Sequence, residues 1–207
     1  MTRVVTLAGE GSGTYTDRRS EFIGTARPVA DEAEAMAFVA AVKKRHPDAR
    51  HNVFAYILRG GAVKRYSDDG EPQGSAGMPV LDVLEKNGLD GVVVVVTRYF
   101  GGILLGTGGL VRAYSGAASA AVADAGVVTL GPCACLEVRM NYNDNNRTAG
   151  EIRRLGATVT GTEFGADVTL SLTVREEDRD ALCARLTELT AGRAMIRQTG
   201  TVLAPVE

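Results

Sequence analysis

The segment from Gly91 to Thr97 constrains this chain more than any other. Five consecutive valines, Val92 to Val96, fill its interior and leave it no polar face. Side chains along a strand point alternately to its two sides, so such a segment must be covered on both faces or lie centrally in a sheet. It is the longest aliphatic stretch in the sequence, and it is strand-sized rather than membrane-spanning. The chain must therefore build the rest of a sheet, and the layers that cover it, around this strand.

The first 130 residues supply those parts in the order βββαββαβα. Thr2 to Ala8 is strand-like, Gly9 to Gly13 reads as a turn, and Glu21 to Val29 is extended. Asp31 and Glu34 form a capping-box pair for a helix in which Ala35, Phe38, Val39 and Val42 recur at helical spacing. Lys43, Lys44 and Arg45 sit at its C-terminal end, favourable for the helix dipole, and Pro47 ends it. His51 to Arg59 and Ala62 to Tyr66 are strands turned at Gly60-Gly61. Ser75 is placed to cap a second helix with Val80, Leu81, Val83 and Leu84 on its apolar face and Asn87-Gly88 at its end. A last helix, from about Thr107 to Ala125, is so rich in Ala, Gly and Ser that it can approach its neighbours closely.

Gly131-Pro132 marks a boundary, which divides the chain into expected domains 1–130 and 131–207. Beyond it the order is strand, helix, strand, strand, helix, strand. Val168, Leu170, Leu172 and Val174 point one way, and Asp167, Thr169, Ser171 and Thr173 the other. A βαββαβ order over about 75 residues is a ferredoxin-like unit, with two helices on one sheet face and a Thr/Ser-rich face left open. The fold class is α+β. Trp is absent, so the core must be mostly Val, Leu and Ala.

Charge and cysteine usage exclude several function classes. Residues 1–131 hold 14 Lys and Arg against 14 Asp and Glu, and the remainder 9 against 11, so neither half has the bulk positive field of a non-specific nucleic-acid binder. Any such binding has to come from a local patch. Cys133 and Cys135 are too close for an ordinary disulfide or a zinc knuckle, and Cys183 stands alone. They read as reduced thiols. The N-terminus shows no secretory signal pattern, so a cytoplasmic location is expected, with no membrane contact.

Two segments could carry chemistry. In the first, Arg98-Tyr99-Phe100-Gly101-Gly102 leads through Gly106, Gly108 and Gly109 to Arg112. A buried strand, a glycine-rich loop and a helix N-terminus together form a place where free N–H groups and the helix dipole favour an anion. It is neither a P-loop nor a dinucleotide fingerprint, because no Gly-Lys-Ser/Thr follows and Val111 stands where a third glycine belongs. In the second, Ser67-Asp68-Asp69-Gly70-Glu71-Pro72 packs three carboxylates into four positions. Asp69 and Glu71, with His51, are candidates for general acid–base work. The alternative is a turn whose carboxylates pair with Arg98 or Arg112. The spacing does not match a calcium loop, and no metal or other cofactor is expected. Arg50, with Lys43 and Lys44, would extend a basic patch.

Together, Ala49-Arg50-His51-Asn52, Asp68-Asp69-Gly70-Glu71-Pro72 with Gly74-Ser75-Ala76-Gly77, and Thr97-Arg98-Tyr99-Phe100-Gly101-Gly102 through Gly109-Leu110-Val111-Arg112-Ala113-Tyr114 resemble the YigZ/IMPACT family over about residues 18–125. The C-terminal part resembles the ferredoxin-like domain of its bacterial members. The resemblance implies an N-terminal βα sandwich, domain-2-like, of the kind shared by one domain of a small-subunit ribosomal protein, elongation factor G and some small-molecule kinases. Its eukaryotic members are translation regulators acting through a partner, and they carry a partner-binding domain that this chain lacks.

Two expectations follow. The first is a cytosolic binding or regulatory protein, monomeric or weakly oligomeric and not an enzyme, that contacts RNA, the ribosome or a translation factor. Its contacts would come from Arg50, Arg98, Tyr99, Arg112 and the backbone of Gly101, Gly102, Gly106, Gly108 and Gly109. The second is an enzyme that holds a phosphorylated small molecule on the glycine-rich loop while Asp68, Asp69 or Glu71 supplies a base or a magnesium ligand, with His51 a further catalytic candidate.

Overall fold

The computed structural model describes residues 3–206. They divide into two compact units, residues 4–129 and residues 130–206 with residue 3. The first unit is built on an antiparallel sheet in the order β2-β3-β6-β4-β5, with β6 (Val92–Tyr99) at the centre between β3 (Ser20–Pro28) and β4 (His51–Ile57), and with β2 (Gly11–Asp17) and β5 (Lys64–Ser67) at the edges. A short strand β1 (Val4–Leu7) precedes them. The element order matches the βββαββαβα reading.

The valine run occupies the position its composition demands. Val92, Val94 and Val96 pack into one core cluster with the helices α2 (Gly77–Lys86) and α3 (Gly106–Ala125). Val93 and Val95 pack into another with α1 (Glu32–Arg45) on the opposite face. All five are fully buried. Burying a valine side chain contributes roughly 1.5–3 kcal/mol, so this one strand anchors both layers.

One expectation changes. Gly9 to Gly13 is not a turn leading out of the sheet: Gly11 opens β2, and the hairpin to β3 turns at Arg18-Arg19, where φ is 45° and 68°. Gly11 and Gly13, with Gly24 of β3, mark close helix packing instead. A Cβ on Gly11 would lie 2.1 Å from the Ala125 backbone nitrogen, one on Gly13 2.4 Å from Ala120 Cβ, and one on Gly24 2.3 Å from the Ala117 carbonyl oxygen. The Ala/Gly/Ser helix α3 thus lies almost directly on the backbones of β2 and β3.

The second unit runs β7 (Val127–Met140), α4 (Tyr142–Arg154), β8 (Thr158–Phe164), β9 (Val168–Arg175), α5 (Arg179–Leu189) and β10 (Met195–Pro205), and the division between units falls within β7. Its strands are ordered β10-β7-β9-β8 and are antiparallel throughout, the ferredoxin-like arrangement. Val168, Leu170, Leu172 and Val174 are buried with Leu182 and Leu186 of α5 and Ile152 of α4. The three cysteines are free. Asn141 caps α4 by accepting from the Asp144 N–H at 2.8 Å, and Arg193 clamps the Asp144 carboxylate with two bonds of 2.8 and 3.0 Å. That hydrogen bonding, against the opposing cost of burial, holds the Asp144 carboxyl below its usual range.

Two expected outcomes test this packing. Gly24→Ala should lower stability by about 1–3 kcal/mol in urea unfolding, since the added methyl meets backbone. Gly9→Ala, with open space around it, should change stability by no more than about 0.5 kcal/mol. For Asp144, a lowered folded-state pKa means stabilisation that is complete above the ordinary carboxylate value of about 3.9 and is lost as pH falls below it. The unfolding midpoint of the native protein should therefore drop more steeply between pH 5 and about pH 3 than that of Asp144→Asn.

Candidate functional site

Strand alternation decides which residues meet at the end of the first sheet. The pattern that sends Val94 and Val96 toward α2 and α3 carries on to Arg98, whereas Thr97 and Tyr99 face the α1 side. Cross-strand register sets Phe22 of β3 and His51 of β4 directly beside Arg98. Phe22, Arg98 and His51 thus form one row across three strands, where the valine core gives way to polar groups.

Arg98 is the hub of this row. Its Nη1 donates to Glu71 Oε1 at 2.6 Å, and both side chains are buried, 7% and 4% exposed. The same oxygen accepts from the Tyr114 hydroxyl of α3 at 2.7 Å. Burial first, and the bond to Glu71 second, push the Tyr114 phenol far above its usual range, so it remains a proton donor. Its ring meets Phe22 edge-on at 5.0 Å. The Arg98 guanidinium carbon lies 5.3 Å from the Phe22 ring centre and 5.5 Å from that of Phe100, and Arg98 Nε has no hydrogen-bond partner.

The three carboxylates of the acidic loop diverge into three separate tasks. Asp68 accepts from the backbone N–H groups of Gly74, Ala76 and Gly77 at 2.9, 3.2 and 2.8 Å, and so caps α2 from a distance. This corrects the assignment of the cap to Ser75, whose hydroxyl donates to the Pro72 carbonyl at 2.6 Å. Asp69 has a left-handed φ of 45°, pairs with Lys43 at 2.8 Å and accepts from the Asn52 N–H at 2.7 Å. Its carbonyl oxygen lies 2.8 Å from His51 Nδ1. Only Glu71 turns toward Arg98.

A pocket of about 430 Å³ opens at this end of the sheet. Arg50, His51, Glu71 and Arg98 form its polar wall, and Phe100, Leu104, Leu105 and Leu110 its apolar wall. Pro72 of the acidic loop and Gly106 and Thr107, in the first turn of α3, complete the lining. No side chain caps that helix, and its first turn holds no acidic residue, so its leading N–H groups and the positive end of its dipole remain available. Gly102 and Gly106 adopt φ of 85° and 69°, the left-handed backbone by which the chain turns from β6 into α3.

Of the residues singled out in the sequence, Arg50, His51, Glu71, Arg98 and Gly106 come together in this pocket. Others do not. Tyr99 faces α1, its hydroxyl 2.9 Å from His46 Nδ1. Asp69 and Lys43 neutralise one another. Arg112 is exposed on α3 outside the pocket lining, and it pairs with none of the acidic-loop carboxylates. Gly101 is structural, since a Cβ there would lie 2.0 Å from the Arg19 backbone. Gly109 is buried, a Cβ there falling 2.9 Å from Leu105, and Gly108 is exposed outside the lining. The sequence reading assigned no role to Tyr114, Phe100, Thr107 or the leucine wall. Tyr114 carried a usable signal: with Leu110 and Ala117 it falls on the buried helix face, where a hydroxyl needs a partner.

The fold and this site define a two-unit α+β protein whose first unit carries an Arg/Gly-lined pocket. The Impact N-terminal domain model matches residues 18–122, and a domain of unknown function, DUF1949, matches residues 138–193. The chain is 34% identical to IMPACT family member YvyE of Bacillus subtilis over 93% of this chain and 89% of that protein. It is 31% identical to IMPACT family member YigZ of Escherichia coli over 84% of this chain and 87% of that protein. Rat Protein IMPACT is 35% identical over 44% of this chain and 30% of its own. A crystal structure of a hypothetical protein, 29% identical, superposes with a TM-score of 0.60 over 95% of this chain and 97% of that one. The chain belongs to the IMPACT family.

The buried pair yields a direct test. Glu71→Ala strands the Arg98 charge and should cost about 3–5 kcal/mol in urea unfolding. Tyr114→Phe keeps the ring, removes one hydrogen bond to a charged group, and should cost about 1–3 kcal/mol. Equal losses in the two variants would contradict the assignment of Arg98 and Glu71 as a mutually dependent pair.

Proposed function

We propose that this chain is a cytosolic binding and regulatory protein of the translation apparatus, and that it contacts phosphate-bearing RNA, free or in the ribosome, at the pocket beside α3. One observation carries this reading. Arg50, Arg98 and the uncapped N-terminus of α3 converge on one pocket, which puts a cationic side chain, a buried guanidinium and a helix dipole of the same sign in one place. Family membership supports it, because the eukaryotic members are regulators of translation. The near-neutral first unit restricts the interaction to this patch, so binding is local rather than driven by bulk field.

Glu71 sets the strength of the site. It consumes the net charge of Arg98, so affinity for an anion rests on Arg50 at the pocket and on the α3 N–H groups. Arg112, exposed on α3 beside Gly108, extends the patch along the surface. The second unit, whose open sheet face bears Thr169, Ser171 and Thr173 rather than paired aromatics, serves as a docking module.

Co-sedimentation with ribosomes and titration of a labelled RNA oligonucleotide measure this. Arg50→Ala and Arg112→Ala, each checked for retained fold, should weaken binding, and each should reduce the slope of log affinity against log salt by about 0.7–0.9. Unchanged affinity and slope in both folded variants would remove this surface from the interaction.

A further inference from the structure

The pocket's hydrogen-bonding groups are not all alike, and the exception is His51. Its Nδ1 lies 2.8 Å from the Asp69 carbonyl oxygen. A carbonyl can only accept, so Nδ1 carries the proton, and in the neutral ring Nε2 keeps its lone pair. Glu71 Oε1 lies 4.0 Å from Nε2, beyond hydrogen-bond reach and already accepting from Arg98 and Tyr114. The side chain is 19% exposed and lines the pocket. In that tautomer the polar wall offers an acceptor next to a set of donors: Arg50, Arg98 and the first turn of α3.

Two further features narrow the ligand. Phe100 is 47% exposed, with the Arg98 guanidinium against its ring, which makes it a stacking platform backed by a cation. Arg98, only 6% exposed and with an unpartnered Nε, lines the pocket beside the exposed Arg50, so the α3 terminus is not the sole positive group there. A ligand that satisfies all of these needs an anionic group, a planar face and a hydrogen-bond donor. The volume of about 430 Å³ suits one such unit and not a duplex.

We infer that the pocket accepts a single ribonucleotide unit. Its phosphate meets Arg50 and the α3 N–H groups, its base stacks on Phe100, and its ribose 2′-hydroxyl donates to His51 Nε2. The inference rests on the anion-binding reading of the same site and adds to it a preference for ribose over deoxyribose. The unit can come from an unpaired position in an RNA strand or from a free mononucleotide.

Fluorescence anisotropy with two labelled, 5′-phosphorylated single strands of the same sequence, one ribo and one deoxyribo, tests it. The native protein should bind the ribo strand on the order of tenfold more tightly, the cost of leaving the His51 acceptor unmet. His51→Ala should abolish the preference while leaving deoxyribo binding in place. His51→Phe provides a second variant that retains a ring, and thermal unfolding checks both. Arg50→Ala should weaken both strands alike. If the native protein binds both strands equally, or the folded His51 variants keep the preference, the ribose assignment fails and the anion-binding reading stands. If neither strand nor free AMP binds, both fail. Competition by AMP as effective as that by the unlabelled ribo strand identifies a free nucleotide as the source, and much weaker competition identifies the strand.

Discussion

An arginine that follows five buried valines on the same strand has to be neutralised where the core ends, and much of the site depends on how that is done. Arg98 emerges on the face covered by α2 and α3, under Phe100 and against Phe22, with almost no solvent to disperse its charge. Glu71 supplies the counter-charge, and the cost of desolvating both groups makes each dependent on the other. Because Glu71 also accepts from Tyr114, the pair ties together the end of β6, the acidic loop and α3. Breaking it would release three elements at once.

The close seat of α3 is the second constraint. A helix built from Ala, Gly and Ser, set against strands with glycine at the contact points, can lie nearer to the sheet than one carrying large side chains. Its register on β2 and β3 brings Tyr114 over Phe22 and leaves the N-terminal turn beside Arg98 and His51. The acidic loop makes the matching arrangement on the other side. Asp68 starts α2, and Asp69 holds the Asn52 N–H and the His51 ring. Two of the three acidic-loop carboxylates thus hold backbone in place, Asp68 at α2 and Asp69 at Asn52, while Glu71 meets Arg98.

Every residue of the pocket lies between 50 and 110, inside the stretch matched by the Impact N-terminal domain model. The bacterial relatives align with this chain over most of both lengths, whereas rat Protein IMPACT aligns over less than half of this chain. The ferredoxin-like unit has a different organisation: a clean apolar face under two helices, an open polar face, and an Arg193 clamp at the start of α4.

What the sequence determined by itself was whatever depends on local periodicity. The valine run required a covered central strand, Asp31 capped its helix as expected, and alternation in residues 167–174 separated the two faces of the second sheet. Family membership was also legible, in motifs spread from Arg50 to Tyr114. Local patterns failed where a residue's role is set by a neighbour distant in sequence. Gly11 and Gly13 read as a turn because nothing local reveals that Ala120 and Ala125 press against them. Ser75 read as a cap because the carboxylate that performs the task, Asp68, reaches in from seven residues before it. Only the tertiary structure decided that Arg98 takes Glu71 rather than Asp69, that Arg112 takes no acidic-loop carboxylate, and that His51 presents Nε2 to a pocket. Those outcomes follow from strand register and helix seating, which depend on the whole sheet being assembled.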